Sequence, residues 1–401
     1  MPNSSYHYII VGGGLAGASA MEGIRERDQK GPILLINKES HLPYDRPPLS
    51  KKLWSGKKKV EEIFLHKKEF YEQNNVTMTT NVSVTSLDAK SKTVIDNQGR
   101  TYRFKKLLLA TGGAPRTLSV HGSGLEGICY FRTLDDYLRL RKESREGKSA
   151  VVIGGGFIGS EMAAALTLSK VNVTMVFPEA HLVSRVFPES LGQAIQDQYR
   201  ARGITIFAND RPTGFSKNGK RFVTYTVSNK KIESDMVIVG IGIAPSLELP
   251  IQAGLQTANG IIVDEYLQTS LPDIYAAGDI AFFRYQALGK QTRVEHWDNA
   301  LNQGKWAGRN MAGAHEPYTY MPYFFSDLFE FGYEAVGEVD SSLETVLDWQ
   351  KENDTGVIYY MKDGKVRGAM MCNVWDKVEE ARALIRRAEP MTPEQLRGVI
   401  R

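Results

Sequence analysis

The 401-residue sequence predicts an α/β chain: two parallel-sheet units of doubly wound type, then a smaller α+β module. Two observations carry this reading. A glycine-rich turn occurs twice, as Val11-Gly12-Gly13-Gly14-Leu15-Ala16-Gly17 and as Ile153-Gly154-Gly155-Gly156-Phe157-Ile158-Gly159. Each turn follows an apolar run suited to a buried parallel strand, Tyr8-Ile9-Ile10-Val11 and Ala150-Val151-Val152-Ile153, and each opens an alanine-rich helical stretch. In a strand–turn–helix of this kind the first, third and sixth glycines make the tight turn, let the backbone reach a pyrophosphate, and let the helix pack close to the strand. The pyrophosphate rests on the helix N-terminus, where free N–H groups and the dipole favour negative charge. Both units are therefore expected to be Rossmann-like dinucleotide-binding domains. Two dinucleotides in one chain imply electron transfer between them.

The remaining elements follow in order. The second strand of the first unit is Ile33-Leu34-Leu35-Ile36, and an acid near its end should accept ribose hydroxyls. Lys38 and Glu39 stand there, which makes Glu39 the candidate acid. Residues 76–104 alternate polar and apolar around Asp96-Asn97 and Gln98-Gly99, which predicts a small antiparallel excursion. Leu107-Leu108-Leu109-Ala110-Thr111-Gly112-Gly113 is a buried strand running into a turn. The second unit starts near Lys148 and repeats the plan, with strand Val173-Thr174-Met175-Val176, an acid at Glu179 and a last strand ending in Gly240-Ile241-Gly242. The chain then returns to the first unit through Asp273-Ile274-Tyr275-Ala276-Ala277-Gly278-Asp279 and a helix over 299–312. Strands over 356–361 and 365–372, joined at Asp363-Gly364, and an amphipathic helix over 376–387 make up the last module, which has no catalytic signature of its own. The expected boundaries are 1–115 and 243–319 for the first domain, 116–242 for the second and 320–401 for the third.

Composition excludes several classes. The chain is 42% apolar and 24% charged, as a soluble globular protein is, and contains no apolar run of membrane-spanning length. The first strand begins within a few residues of the N-terminus, so no signal peptide is expected and cytoplasmic residence is. Cys129 and Cys372, far apart, agree with that expectation. A dithiol reductase of this architecture needs a Cys-x4-Cys pair soon after the first turn, yet Gly17 to Lys106 contains no cysteine. A net charge of +4 is too small to imply nucleic-acid binding. The run Lys51-Lys52 with Lys57-Lys58-Lys59 is either a solvated loop or a docking patch for an acidic redox partner.

These residues resemble the two-dinucleotide FAD/NAD(P)H oxidoreductases, and within them apoptosis-inducing factor and the NADH–ferredoxin reductases of oxygenase systems. The resemblance spans essentially the whole chain. It is carried by Pro43-Tyr44-Asp45-Arg46-Pro47-Pro48-Leu49-Ser50-Lys51, Ala110 to Arg116, Gly154 to Glu161, Ala277-Gly278-Asp279 and Val294-Glu295-His296-Trp297-Asp298-Asn299-Ala300. Tyr323 to Phe329 with Gly332 to Gly337 looks closest to the apoptosis-inducing-factor branch; Trp297 looks like the ferredoxin reductases. The resemblance implies that FAD is held by Gly12, Gly14, Leu15, Ala16, Gly17, Glu39, Arg46, Lys51, Val84, Arg132, Asp279, His296 and Trp297. It implies that NAD(H) is held by Gly155, Gly156, Phe157, Ile158, Glu179, Arg185 and Gly240, with Glu295, His296, Phe325 and Glu334 on the nicotinamide side. Lys38 departs from the glutamate usual at the ribose position.

The cofactors carry the hydride chemistry, and the protein orients and tunes them. Lys51 beside the flavin, held by Glu161, is the expected tuning pair. Phe157 is either a movable ring shielding the flavin or plain packing. Trp297 and His296 either fill the core or stack on the flavin and steer electron exit. Arg185 and His181 could each meet a ribose phosphate. With no thiol available, electrons should leave the flavin directly. The expected partners are NADH and a small iron–sulfur acceptor, with homodimerisation open, no metal site, and no membrane or nucleic acid involved. The rival function is an apoptosis-inducing-factor-like redox sensor of low turnover.

Overall fold

Short β-branched and leucine runs make the parallel strands, and the computed structural model describes residues 4–401. The described chain divides into two units. The first contains the residues up to Asp45 with Val60–Ala114 and Ala244–Pro322; the second contains Arg46–Lys59, Pro115–Ile243 and Tyr323–Arg401.

In the first unit a seven-stranded sheet runs Val76–Thr79, Ile33–Ile36, Ser4–Val11, Thr101–Leu109, Thr93–Asp96, Val84–Asp88, with Ile274–Ala276 also pairing on Thr101–Leu109. The first three strands are parallel, Val11 standing opposite Ile36 and Ile36 opposite Thr79. The antiparallel excursion is therefore smaller than the sequence pattern suggests. Val76–Thr79 follows the helix Lys68–Gln73, and that crossover returns it parallel to Ile33–Ile36; only Val84 onward is antiparallel. The helix expected over 299–312 starts two residues earlier, at Trp297, and ends at Met311. It packs on the first-turn helix Leu15–Arg25 through glycines: a Cβ on Gly304 would lie 2.3 Å from the Ala16 carbonyl oxygen, and one on Gly308 2.0 Å from that of Ala20.

In the second unit a five-stranded parallel sheet runs Thr205–Phe207, Asn172–Val176, Ser149–Ile153, Met236–Val239, Cys129–Tyr130. An antiparallel layer of Pro212–Asn218, Arg221–Thr226 and Lys231–Ser234 covers it, and Val151, Val237, Phe215 and Phe222 close the core between them. The C-terminal residues add a second sheet, ordered Tyr323–Leu328, Phe331–Gly337, Lys365–Cys372, Thr355–Lys362, Glu344–Lys351, and the helix Val378–Arg387. This sheet packs into the same unit. Phe187 meets Tyr333 edge-on at 5.4 Å, and the Tyr360 hydroxyl donates to the Val186 carbonyl at 2.7 Å. Asp363 and Gly364 both have positive φ, the geometry of a tight hairpin turn.

Candidate functional site

The two glycine turns are built alike. A Cβ on Gly12 would lie 2.2 Å from the Ala110 carbonyl oxygen, and one on Gly154 2.4 Å from that of Gly240; both glycines have positive φ. The middle glycines lie against the side chain that ends the neighbouring strand, Gly13 on Asn37 and Gly155 on Phe177. At the third glycines, Gly14 and Gly156, a Cβ would meet nothing within 4 Å. These two residues are the N-caps of Leu15–Arg25 and Phe157–Leu168, with no side-chain cap bond and no acid in either first turn. Free N–H groups facing open space, with no internal anion, fit a dinucleotide pyrophosphate in each unit.

The acids behind the turns share one register. The backbone N–H of Asn81 donates to the Glu39 carbonyl at 3.1 Å, and that of Asn209 to the Glu179 carbonyl at 3.0 Å. Glu39 stands two residues after Asn37, and Glu179 two after Phe177, so Glu39 rather than the exposed Lys38 is the counterpart of Glu179. The Tyr44 hydroxyl fixes the Glu39 carboxylate at 2.5 Å. Also in the first unit, Asp279 follows Gly278, whose N–H donates to Gln303 at 2.9 Å, and the Asp279 carbonyl accepts from Arg293. Trp297 is partly buried, its indole N–H on Asp45 at 2.8 Å. Desolvation lowers the neighbouring His296 to about 4 against the opposing charge of Asp279, so its imidazole is neutral at physiological pH. Glu295 pairs with Arg293 at 2.5 Å, and Val84 begins the first antiparallel strand.

The second unit holds a buried charge cluster. Lys51 Nζ lies 3.2 Å from Glu161 Oε1, with side chains only 10% and 8% exposed. Ser50 donates to Glu161 Oε2 at 2.6 Å, Ser326 donates to Oε1, and the Lys51 ammonium lies 4.7 Å from the centre of the Phe325 ring. Tyr199 and Tyr333 have raised hydroxyl pKa values, through burial first and the Glu161 charge second. The sequence alone assigns no role to Ser50, Ser326 or the Asp45 partner of Trp297, although Asp45 and Ser50 lie inside the Pro43–Lys51 run and Ser326 inside Tyr323–Phe329.

Other expected residues stand as follows. Phe157 opens its helix, partly buried, with its ring edge-on to Phe324 at 5.8 Å; Ile158 beside it is 38% exposed. Arg46 donates to the Arg132 carbonyl at 2.8 Å. Arg185 is exposed, its carbonyl accepting from Ser341 N–H, whereas His181 is buried with Nδ1 3.1 Å from the Leu182 carbonyl. Burial, then the Asp376 charge, raises the Glu334 pKa. Neither cysteine is a reactive thiol: both are buried, and burial pushes Cys129 up to about 12 and Cys372 higher still.

Paired nucleotide turns without a reactive thiol define a two-dinucleotide oxidoreductase. The family model described as pyridine nucleotide-disulphide oxidoreductase matches residues 6–304, and the chain belongs to that family. It is an FAD-dependent NAD(P)H oxidoreductase, with FAD and NAD(H) as cofactors. The model of the C-terminal region of mitochondrion-associated apoptosis-inducing factor matches residues 307–355. The chain is 36% identical to rubredoxin-NAD(+) reductase of Pseudomonas putida over 82% of its length and 86% of the relative's. It is 33% identical to mitochondrial apoptosis-inducing factor 1 of Dictyostelium discoideum over 95% and 78%. A ferredoxin reductase from Rhodopseudomonas palustris superposes with a TM-score of 0.91 at 30% identity, covering 98% of this chain and 96% of that one.

Proposed function

We propose that the protein oxidises NADH and passes the electrons through FAD to a small iron–sulfur protein such as a ferredoxin. The observation that carries this is the pair of equivalent glycine turns, each opening a helix with no acid in its first turn, in a chain whose thiols are buried and unreactive. When bound, FAD accepts a hydride from NADH and gives up its electrons one at a time. The first turn, Glu39 and Asp279 hold FAD, and the second turn and Glu179 hold NADH. Glu179 accepts the ribose hydroxyls and repels a 2′-phosphate, which favours NADH over NADPH. Lys51, fixed by Glu161, presents positive charge to the flavin and stabilises its reduced form.

The lysine run has a rigid base, which favours docking over a loose loop. Trp54 donates to the Leu49 carbonyl at 2.6 Å, Tyr137 donates to that of Leu53 at 3.3 Å, and the Arg141 guanidinium lies 5.6 Å from the Trp54 ring. Lys52, Lys57 and Lys59 are exposed on that platform and steer an acidic acceptor. No helix among the described residues is long and apolar enough to cross a membrane; an encounter in the cytoplasm is part of the proposal.

A second reading, an NADH-responsive sensor of low turnover, is favoured by the match of residues 307–355 to apoptosis-inducing factor. Steady-state NADH oxidation with ferricyanide, a quinone and a ferredoxin separates the two. Rapid turnover with ferredoxin supports the reductase, and slow turnover with every acceptor supports the sensor.

A further inference from the structure

Glu161 is held from two distant parts of the sequence. Ser50 and Lys51, on the segment after the Pro43 motif, both reach its carboxylate. From the C-terminal sheet, Ser326 donates to the carboxylate, and its neighbour Phe325 sets its ring under the Lys51 ammonium. Ser326 is buried in the strand Tyr323–Leu328 and pairs with Tyr333 on the next strand, which locks its backbone. Its hydroxyl and the Lys51 ammonium share one oxygen, Oε1. A donor on that oxygen draws off charge density that would otherwise act on Lys51.

We propose that Ser326 is a positioning residue through which the C-terminal sheet sets the redox potential of the flavin. This rests on the reading that the Lys51–Glu161 pair serves the flavin. With the serine hydroxyl in place, Glu161 holds Lys51 without cancelling its charge, and reduced flavin is stabilised. Without it, Lys51 is the sole partner of Oε1 and takes more of the carboxylate charge, Ser50 remaining on Oε2, and the flavin becomes harder to reduce. A module without a nucleotide turn thus contributes to the chemistry through one buried hydroxyl.

The test is the midpoint potential of bound FAD in the full-length holoprotein, together with FAD content and thermal midpoint, for Ser326→Ala, Ser326→Thr, Lys51→Met and Ser326→Ala/Lys51→Met. Lys51→Met should lower the potential. Ser326→Ala should lower it by part of that amount and slow reduction by NADH by no more than roughly a hundredfold, the weight of one charge-assisted hydrogen bond. Ser326→Thr, which keeps the hydroxyl, should restore the wild-type potential, and the double variant should match Lys51→Met alone. A wild-type potential in Ser326→Ala beside a lowered one in Lys51→Met would overturn the proposal. So would a Ser326→Ala shift that persists undiminished in the Lys51→Met background. An unchanged potential in Lys51→Met would instead remove the underlying reading of the pair. Should Ser326→Ala lose FAD, Ser326→Cys, a weaker donor, replaces it: an intermediate potential supports the proposal and a wild-type one overturns it.

Discussion

The two nucleotide units share the geometry of their glycine turns and differ in what the helix after each turn carries. Counting from the first glycine, Ser19 in Leu15–Arg25 corresponds to Glu161 in Phe157–Leu168, and both are buried. In the first unit that helix is sealed by Gly304 and Gly308 of a partner helix, so backbone meets backbone and only a small side chain fits. In the second it faces Ser50, Lys51 and Ser326, so the same position carries a charge. One turn is a dry mount, and the other has a built electrostatic cluster beside it. Binding geometry repeats between the units, whereas tuning does not.

The comparison breaks most sharply at the turns. Gly12→Ala and Gly154→Ala each force a Cβ within 2.4 Å of a carbonyl oxygen at positive φ. Gly12→Ala should yield protein without FAD, and Gly154→Ala should retain FAD but lose reduction by NADH. Flavin absorbance and stopped-flow reduction read the two effects, and the reverse pattern would exchange the cofactor assignments. Next come the equivalent helix positions. Glu161→Gln or Lys51→Met leaves a buried charge without its partner and should cost about 3–5 kcal/mol of stability. Ser19→Ala should cost less than about 1 kcal/mol. Equal losses in denaturant titrations would mean that the charge cluster is not what distinguishes the helices.

A smaller effect separates the ribose acids. Glu179→Ala should narrow the preference for NADH over NADPH in kcat/KM and leave FAD content unchanged, whereas Glu39→Ala should weaken FAD retention and leave that preference alone. The smallest effect involves His296. Its pKa, about 4 in the folded protein, is below the ordinary value near 6.5. The unfolded chain therefore binds the extra proton between those values, and stability falls as pH drops from about 6.5 toward 4. Desolvation of the ring is the cause, and the loss at pH 5 should be about 1–2 kcal/mol. His296→Asn should flatten the thermal midpoint over that window, and an unaltered slope would place the acid sensitivity elsewhere.

Both turns, the strands before them and four of the nine α-helices among the described residues were legible in the sequence because the signals are local: apolar runs, glycine spacing, Asp363-Gly364. The choice between Lys38 and Glu39 was less so, since one strand does not reveal its register. The matched Asn81 and Asn209 hydrogen bonds settle which residue corresponds to Glu179. Val76–Thr79 read as antiparallel because the helix before it, Lys68–Gln73, is only six residues long. Ser326 lies inside the Tyr323–Phe329 run, but nothing local marks its role. A serine in a strand reads as solvent-facing, and its partner is 165 residues away. The pairing of Trp297 with Asp45 is hidden likewise by a separation of 252 residues.

The interleaving of the two units has a consequence for synthesis on the ribosome. Chains grow at about 5–20 residues per second, and N-terminal segments emerge first. The first glycine turn emerges early relative to its partners: the helix Trp297–Met311 that seals Leu15–Arg25 and the strand Ile274–Ala276 that completes its sheet come some 250 to 300 residues later. Ser326, which completes the cluster around Glu161, emerges later still. During that interval the face of Leu15–Arg25 that Trp297–Met311 later covers is exposed, a state that invites chaperone binding. The first unit should therefore acquire its nucleotide only after Trp297–Met311 has been made, and chains stalled before that helix should be cleared as unfolded rather than persist as half-active enzyme.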